Sequence, residues 1–181
     1  MIVGCQTTSN MKTNENQKGW PFGESLVVEP PLNNSSYAPY TKTEQGWKSS
    51  LWQSKTHGGG DSFVVNVINL GEGDVDEFRL SQDFPGKKSC NIFESDTIST
   101  KDRNGYKSLF WETNCDLGNL KVKTLQIVII GNDKLYHIRK LWKRPVSNEE
   151  YQNWKNHIDK ASVCDTRQNS CPKGYRKASN T

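Results

Sequence analysis

LKVKTLQIVIIGNDKLYHIRKLW, residues 120–142, is the most regular segment of the chain. Two runs, residues 120–130 and 135–142, flank a turn that contains Gly131, Asn132 and Asp133. Runs of alternating side chains around a short turn of these residue types are typical of a β-hairpin. Successive side chains of the second run alternate between the two sides of the strand: Leu135, His137, Arg139 and Leu141 against Tyr136, Ile138, Lys140 and Trp142. The segment therefore predicts two paired antiparallel strands.

Two more hairpins are predicted on the amino-terminal side of this segment. Residues 92–100 and 106–114 flank the dipeptide Asn104-Gly105, which two-residue hairpin turns prefer. Residues 47–55 and 62–70 flank a glycine-rich turn at residues 57–61. Because short turns join successive strands, the pattern favours an antiparallel meander.

A short helix is predicted between the first and second hairpins. Asp74 precedes residues 75–82, and the acidic residues early in this segment suit the amino end of a helix. Pro85-Gly86 is expected to end the helix, since proline breaks the helical hydrogen-bond ladder.

A long helix is predicted after the last hairpin. Ser147 and Glu150 have the spacing of a capping box. Apolar side chains then recur every three or four residues, namely Tyr151, Trp154, Ile158 and Ala161. We therefore expect an α+β fold in which an antiparallel meander sheet is packed on one face by a long C-terminal helix and a short helix.

The five cysteines divide into one and four. Cys5 lies near the start, whereas the other four lie in the part of the chain that is predicted to fold. Cys90 and Cys115 lie near each other at the open end of the second hairpin, and Cys164 and Cys171 frame a short loop. We therefore predict two disulfides with these pairings and an oxidising compartment. The spacing of the cysteines matches neither a zinc finger nor a CxxC redox pair. Free buried cysteines are therefore the remaining alternative to the two disulfides.

The residues before Cys5 have the pattern of a lipid-attachment site. Ile2-Val3-Gly4-Cys5 resembles the lipobox of bacterial lipoproteins, in which an aliphatic residue, a small or aliphatic residue and Gly or Ala precede the lipidated cysteine. The resemblance implies that Cys5 bears an acyl chain such as palmitate and that an apolar signal segment precedes it. Residues 6–18 are rich in Thr, Ser, Asn, Gln and Lys, which is typical of a flexible tether. An accidental cysteine in a disordered tail is the alternative.

Composition divides the chain of 181 residues into three parts. We expect an anchor and flexible tether at residues 1–19, a Pro-rich lead-in at 20–43 that is mostly loop, and a single disulfide-stapled α+β domain at 44–181. The net charge of +4 comes without a clustered basic patch, which argues against nucleic acid. The chain has no apolar run near the ~20 residues that a membrane helix needs.

No catalytic, cofactor or metal motif accompanies these features. The best candidate for a binding surface combines aromatic and basic side chains, namely Tyr136, Arg139, Trp142 and Arg144. We therefore expect a non-catalytic lipoprotein on the periplasmic side of a bacterial envelope membrane, which binds a protein or an envelope polymer and needs no cofactor. An inhibitor or immunity-type protein that caps an enzyme or toxin is one alternative. A small hydrolase that uses His137 or the acidic residues is another.

Overall fold

The structure is a computed structural model that describes residues 20–69, 74–168 and 170–172. In these residues the chain forms nine β-strands and two α-helices. In chain order they are β1 (Glu24–Val27), β2 (Tyr37–Glu44), β3 (Trp47–Ser54), β4 (Gly58–Asn69), α1 (Val75–Ser89), β5 (Ile92–Arg103), β6 (Tyr106–Asp116), β7 (Lys121–Ile130), β8 (Lys134–Trp142), α2 (Asn148–Asp159) and β9 (Ser162–Asp165). All three predicted hairpins are present, as β3–β4, β5–β6 and β7–β8.

Seven strands form one antiparallel sheet in the order β2-β3-β4-β8-β7-β6-β5. The chain builds this sheet from two meanders, β2 to β4 and β5 to β8, which meet where β4 pairs with β8. Between them α1 carries the chain from the middle of the sheet to its far edge. The sheet therefore consists of two meanders and not of the single one that was expected, because the predicted helix between β4 and β5 crosses the sheet and β4 pairs with β8.

The two helices lie on opposite faces of the sheet, which corrects the prediction that both cover one face. On the α2 face, Trp154 and Ile158 of α2 pack in a cluster with strand residues that include Phe63, Phe110, Ile127 and Ile138. On the α1 face, Val75 and Phe78 of α1 pack with Leu109, Trp111 and Val128. Strands β6 and β7 carry apolar side chains on both faces of the sheet, so other elements must pack on each face.

The relative lengths of the helices also differ from the prediction. The carboxy-terminal helix α2 has 12 residues, whereas α1 has 15 and includes Pro85. Helix α1 continues past Pro85 because tertiary contacts hold its last turn. A Cβ atom on Gly86 would lie 2.3 Å from the Phe93 ring of β5, so only glycine allows this close approach. Cys90, directly after α1, is bonded to Cys115 of β6.

The proline-rich lead-in contributes two strands to the fold. Strand β2 pairs with β3 along its whole length, so residues 37–43 are strand and not the loop that their composition predicted. Strand β1 pairs with β9 in a separate two-stranded sheet. Glu24 of β1 accepts hydrogen bonds from the backbone N–H groups of Asn132 and Asp133, at 2.6 and 3.0 Å. These bonds attach the small sheet to the β7–β8 turn.

Candidate functional site

The four predicted binding residues are distributed by the alternation of β8. Tyr136 and Trp142 point into the α2 face, where both side chains are buried. Arg139 lies on the α1 face, and Arg144 lies two residues beyond the end of the strand. The structure therefore does not bring these residues together in one patch. Trp142 and Arg144 adjoin a polar region on the α2 face and Arg139 lies in a second one on the α1 face, whereas Tyr136 lies in the apolar cluster of the α2 face.

The polar region on the α2 face is a cluster of four charged side chains, which we call the charge cluster: Asp61, Lys140, Arg144 and Glu150. Lys140 is fully buried and forms an ion pair with Asp61. Arg144 bridges the two carboxylates, with its Nη2 atom 2.5 Å from Asp61 and 2.6 Å from Glu150. The side chain of Trp142 donates a 3.0 Å hydrogen bond to Glu150. Two cations and two anions therefore balance.

Aromatic rings enclose the ammonium group of Lys140. Its Nζ atom lies 4.4 Å from the Trp154 ring centroid, 5.0 Å from that of Tyr37 and 5.2 Å from that of Trp142. The Tyr37 hydroxyl donates to Asp61 at 2.9 Å and accepts from Lys140 at 2.8 Å. Ring faces and a carboxylate together replace the water that this cation loses on folding.

Burial and pairing act in opposite directions on the pKa values of this cluster. Burial lowers the pKa of Lys140 to about 8, although Asp61 raises it. Burial alone would raise the pKa of Asp61, but its bonds to Lys140, Arg144 and Tyr37 hold the pKa below the ordinary value. A cavity of about 440 Å³ opens beside the cluster, between Tyr37, His57, Arg144 and the start of α2. Of the charged residues on its wall, Asp61, Arg144 and Glu150 are paired with one another, and Glu149 is exposed.

The polar region on the α1 face begins with a hydrogen-bonded row beneath α1. The His137 Nε2 atom lies 3.1 Å from the Gln126 side-chain oxygen, and Nδ1 lies 3.4 Å from the Asn66 amide nitrogen. The Gln126 amide donates in turn to Thr124 at 3.1 Å. Trp111 stacks on the imidazole, with 6.1 Å between the ring centroids, and Phe78 meets it edge-on. Burial, with a smaller effect of the Arg139 charge, lowers the pKa of His137 to about 3.

Arg139 lies next to this row in the floor of the sheet, between Val64 of β4 and Gln126 of β7. Its Nε atom is buried and has no hydrogen-bond partner. Among the residues that the structure describes, no carboxylate forms an ion pair with Arg139. Burial also lowers the pKa of this guanidinium. Arg139 is therefore a half-buried cation without a protein counter-ion in the described part of the chain.

A groove of about 890 Å³ lies over Arg139. We use the groove to mean the open part of the α1 face above β3, β4 and β8, which no residue of α1 lines. Its apolar lining consists mainly of Trp47, Leu51, Val64, Ile68 and Leu141. The charged lining residues are Arg139 and Lys143, both positive. The groove is thus a concave, partly apolar surface with a positive floor.

Sequence analysis did not single out the groove or Asp61. One signal in the sequence does point to Lys140, since it shares a strand side with Tyr136, Ile138 and Trp142. A lysine in such an apolar register requires a buried partner. Asp61 could not be paired with it from the sequence, because the two lie 79 residues apart on strands that meet only in the folded sheet.

The disulfides of the structure are Cys90–Cys115 and Cys164–Cys171, the same two pairs that the sequence predicted. Cys5 and the tether lie outside the described residues. Within the described ranges, no group of His, Cys, Asp and Glu side chains is arranged to hold a metal ion. None of the helices in that part of the chain is long and apolar enough to cross a membrane.

No protein-family model matches the chain, and no curated protein matches it. Solved structures with a partial likeness include LpqN, involved in cell envelope biogenesis of Mycobacterium tuberculosis, at 10% identity and a TM-score of 0.47 over 81% of this chain and 87% of that chain. Cyanobacterial PsbP (CyanoP) from Synechocystis sp. PCC 6803 has 9% identity and a TM-score of 0.45, over 90% and 99%.

PA94 from Pseudomonas aeruginosa, a protein of unknown function and putative regulator, has 8% identity and a TM-score of 0.43, over 68% of this chain and 94% of that chain. At these identities and TM-scores the likenesses carry no argument about function. The function must be argued from the residues themselves.

Proposed function

We propose that this protein is a non-catalytic binding module of the bacterial cell envelope, held on the periplasmic side of a membrane by an acyl chain on Cys5. Its binding surface is the groove. The observation that carries the binding role is the contrast between a groove with an uncompensated Arg139 and a charge cluster whose members are already paired. A concave, mainly apolar surface with a few polar groups is the usual form of a binding site.

Two further observations support a binding role over catalysis. His137, the candidate general base, is buried and hydrogen-bonded beneath α1, with a pKa lowered to about 3. Asp61, the most buried carboxylate of the charge cluster, accepts from three donors and has no capacity left for a substrate proton. Both groups therefore stabilise the fold, and neither is poised for proton transfer near neutral pH.

The compartment follows from the cysteines. Two disulfides suit an oxidising environment such as the periplasm. The lipobox-like residues before Cys5, followed by a polar segment, suit attachment to a membrane through a tether. One acyl chain alone gives weak membrane binding, so stable anchoring would require more than one chain on this cysteine.

The anchor is tested by the intact mass of the protein from the membrane fraction of its native cells, before and after reduction. We expect a chain that begins at Cys5, is heavier by several hundred daltons than the polypeptide, and gains four hydrogens on reduction. An unmodified chain in the soluble fraction with free thiols would contradict the proposal.

The binding surface is tested by placing a photo-crosslinking amino acid at Ser49, which lines the groove, and at Lys48 on the other side of the same strand. Irradiation of intact cells should give a discrete adduct from position 49 and none of the same mass from position 48. Equal adducts at both positions, or none at position 49, would show that the groove is not the binding surface.

A further inference from the structure

The ligand chemistry of the groove can be argued from its charges, an inference that rests on the proposed function. Among the residues that the structure describes, the lining includes Arg139 and Lys143 and contains no carboxylate. Moving a cation from water to a protein interior costs several kcal/mol unless an anion or hydrogen-bond acceptors replace the water. The charge cluster meets this cost with Asp61 and Glu150, whereas no described carboxylate does so for Arg139. Arg139 is therefore free to pair with an anion that comes from outside the described chain.

The shape and position of the site limit that anion further. Arg139 lies in the floor between Val64 and Gln126, so its partner must enter the groove. Apolar side chains flank the approach along β3 and β4, including Leu51 and Ile68. A volume of about 890 Å³ lies within the range of small-molecule sites, which is roughly 300–1,000 Å³. A free inorganic anion would leave this apolar surface in water.

We propose that the groove binds an amphiphilic anion, a small molecule with an apolar body and a single carboxylate or phosphate head that pairs with Arg139. The planar guanidinium accepts such heads in a two-pronged geometry that lysine cannot reproduce. The apolar body covers Leu51 and Ile68, which are half-buried along the groove, above Val64, which is buried in the floor. Lys143, four residues along the chain and about 13 Å away in an extended strand, adds a positive potential at the rim.

The test measures binding to the full chain with both disulfides intact, by calorimetry and by amide chemical shifts. The probes are dodecanoate and dodecyl phosphate, each below its critical micelle concentration, with monododecanoyl glycerol as the uncharged amphiphile and inorganic phosphate as the head alone. We expect one or both anionic amphiphiles to bind at least tenfold more tightly than the uncharged one and than inorganic phosphate. The shifts should concentrate on β3, β4 and β8.

Variants assign the head to Arg139. Arg139→Met should weaken binding of the anionic amphiphile at least tenfold, or about 1.4 kcal/mol, and remove the preference for a charged head. Lys143→Gln should weaken it by two- to threefold, in a manner that added salt suppresses. Lys48→Gln removes a cation from the same strand pair but on the other side of β3, and should leave binding unchanged. Arg139→Lys should recover part of the affinity, since it restores charge without the fork.

Three results would overturn the inference. Equal binding of charged and uncharged amphiphiles would show that the charge of Arg139 does not select an anionic head group. Equal binding of inorganic phosphate and dodecyl phosphate would leave an anion site without an apolar ligand. No binding of either anionic amphiphile, together with a position-49 adduct to a protein in cells, would assign the groove to a protein segment. In that last case the proposed function stands and only the ligand class is wrong.

Discussion

Lys140 and Arg139 are neighbours on β8, yet the two faces of the sheet treat their charges in opposite ways. Lys140 enters the closed α2 face, where Asp61 and three aromatic rings surround it. Arg139 enters the open part of the α1 face, where no described carboxylate reaches it. A buried cation with a protein partner is a structural element, whereas one without a partner is available to a ligand. The comparison therefore separates the residues that hold the fold from those that we propose to bind a ligand.

Loss of the Asp61 carboxylate in the charge cluster should have the largest effect on stability. Asp61→Asn leaves Lys140 buried without its counter-ion and weakens two bonds from Arg144. We expect the free energy of unfolding to fall by about 3–5 kcal/mol, measured by denaturant titration. Asp133→Asn is the control, because its ion pair with Arg167 is exposed and should contribute less than about 1 kcal/mol.

A double variant distinguishes a lost ion pair from a general packing defect. Asp61→Leu combined with Lys140→Met removes both charges and keeps an apolar filling, so it should be less destabilising than Asp61→Asn alone. If the double variant is the more destabilised of the two, the cost of Asp61→Asn arises from something other than the stranded charge on Lys140. A loss below 1 kcal/mol in Asp61→Asn would remove the structural role of the cluster.

Features of the two faces that depend on local sequence could be predicted from the sequence, whereas those that depend on long-range contacts could not. Hairpin turns, strand alternation and the Ser147 cap are local signals, and each is present in the structure. The end of α1 was placed at Pro85 because propensity is local, while the contacts of Gly86 with Phe93 that extend the helix are not. The groove is formed by β3, β4 and β8, and the β4–β8 pairing could not be read from turns.

The disulfide that fixes α1 should have the second largest effect. Cys90→Ser with Cys115→Ser opens a loop of 25 residues, so the chain-entropy model gives a loss of about 3 kcal/mol. The bond joins the end of α1 to β6, and we expect hydrogen exchange to accelerate first in the last turn of α1. Hydrogen exchange in α2 should change less, because Trp154 and Ile158 pack α2 against the opposite face of the sheet.

Removal of the other disulfide is the matched comparison. Cys164 and Cys171 are separated by seven residues, for which the same model gives about 2 kcal/mol. This variant should leave exchange in α1 unchanged. Two outcomes would contradict the assignment of Cys90–Cys115 to the α1 face. One is faster hydrogen exchange in α1 after the loss of Cys164–Cys171, and the other is unchanged exchange in α1 after the loss of Cys90–Cys115.

The buried His137 beneath α1 should make the free energy of unfolding depend on pH. An unfolded His137 takes up a proton as the pH falls through its ordinary value of 6.5, whereas the folded chain keeps it neutral down to about 3. The unfolded state then binds more protons, so stability falls with falling pH in this window, by about 1.4 kcal/mol per pH unit for one such group. His137→Gln should flatten the slope between pH 6.5 and 4.5.

Two comparisons sharpen this prediction. His157 is also buried, and burial lowers its pKa, so a part of the slope should remain in His137→Gln. The unaltered protein, titrated alongside over the same pH range, is the second comparison. An unchanged slope in His137→Gln would mean that the imidazole accepts a proton in the folded state, and the α1 face would then hold charge as the α2 face does.

Substitution of Arg139 should change the free energy of unfolding least, and the sign of that change distinguishes the two faces of the sheet. Arg139→Met keeps an unbranched apolar stem and removes a charge that no described residue compensates. Stability in the absence of ligand should stay the same or rise by up to about 1 kcal/mol, as is common where a functional residue is held at a cost. Arg144→Met should instead lose about 1.5–3 kcal/mol, because its bonds to Asp61 and Glu150 are charged on both sides. Denaturant titration of the two variants side by side is the measurement. If Arg139→Met loses as much as Arg144→Met, then Arg139 is held by the fold like its neighbour Lys140, and the groove loses the charge that would select an anion.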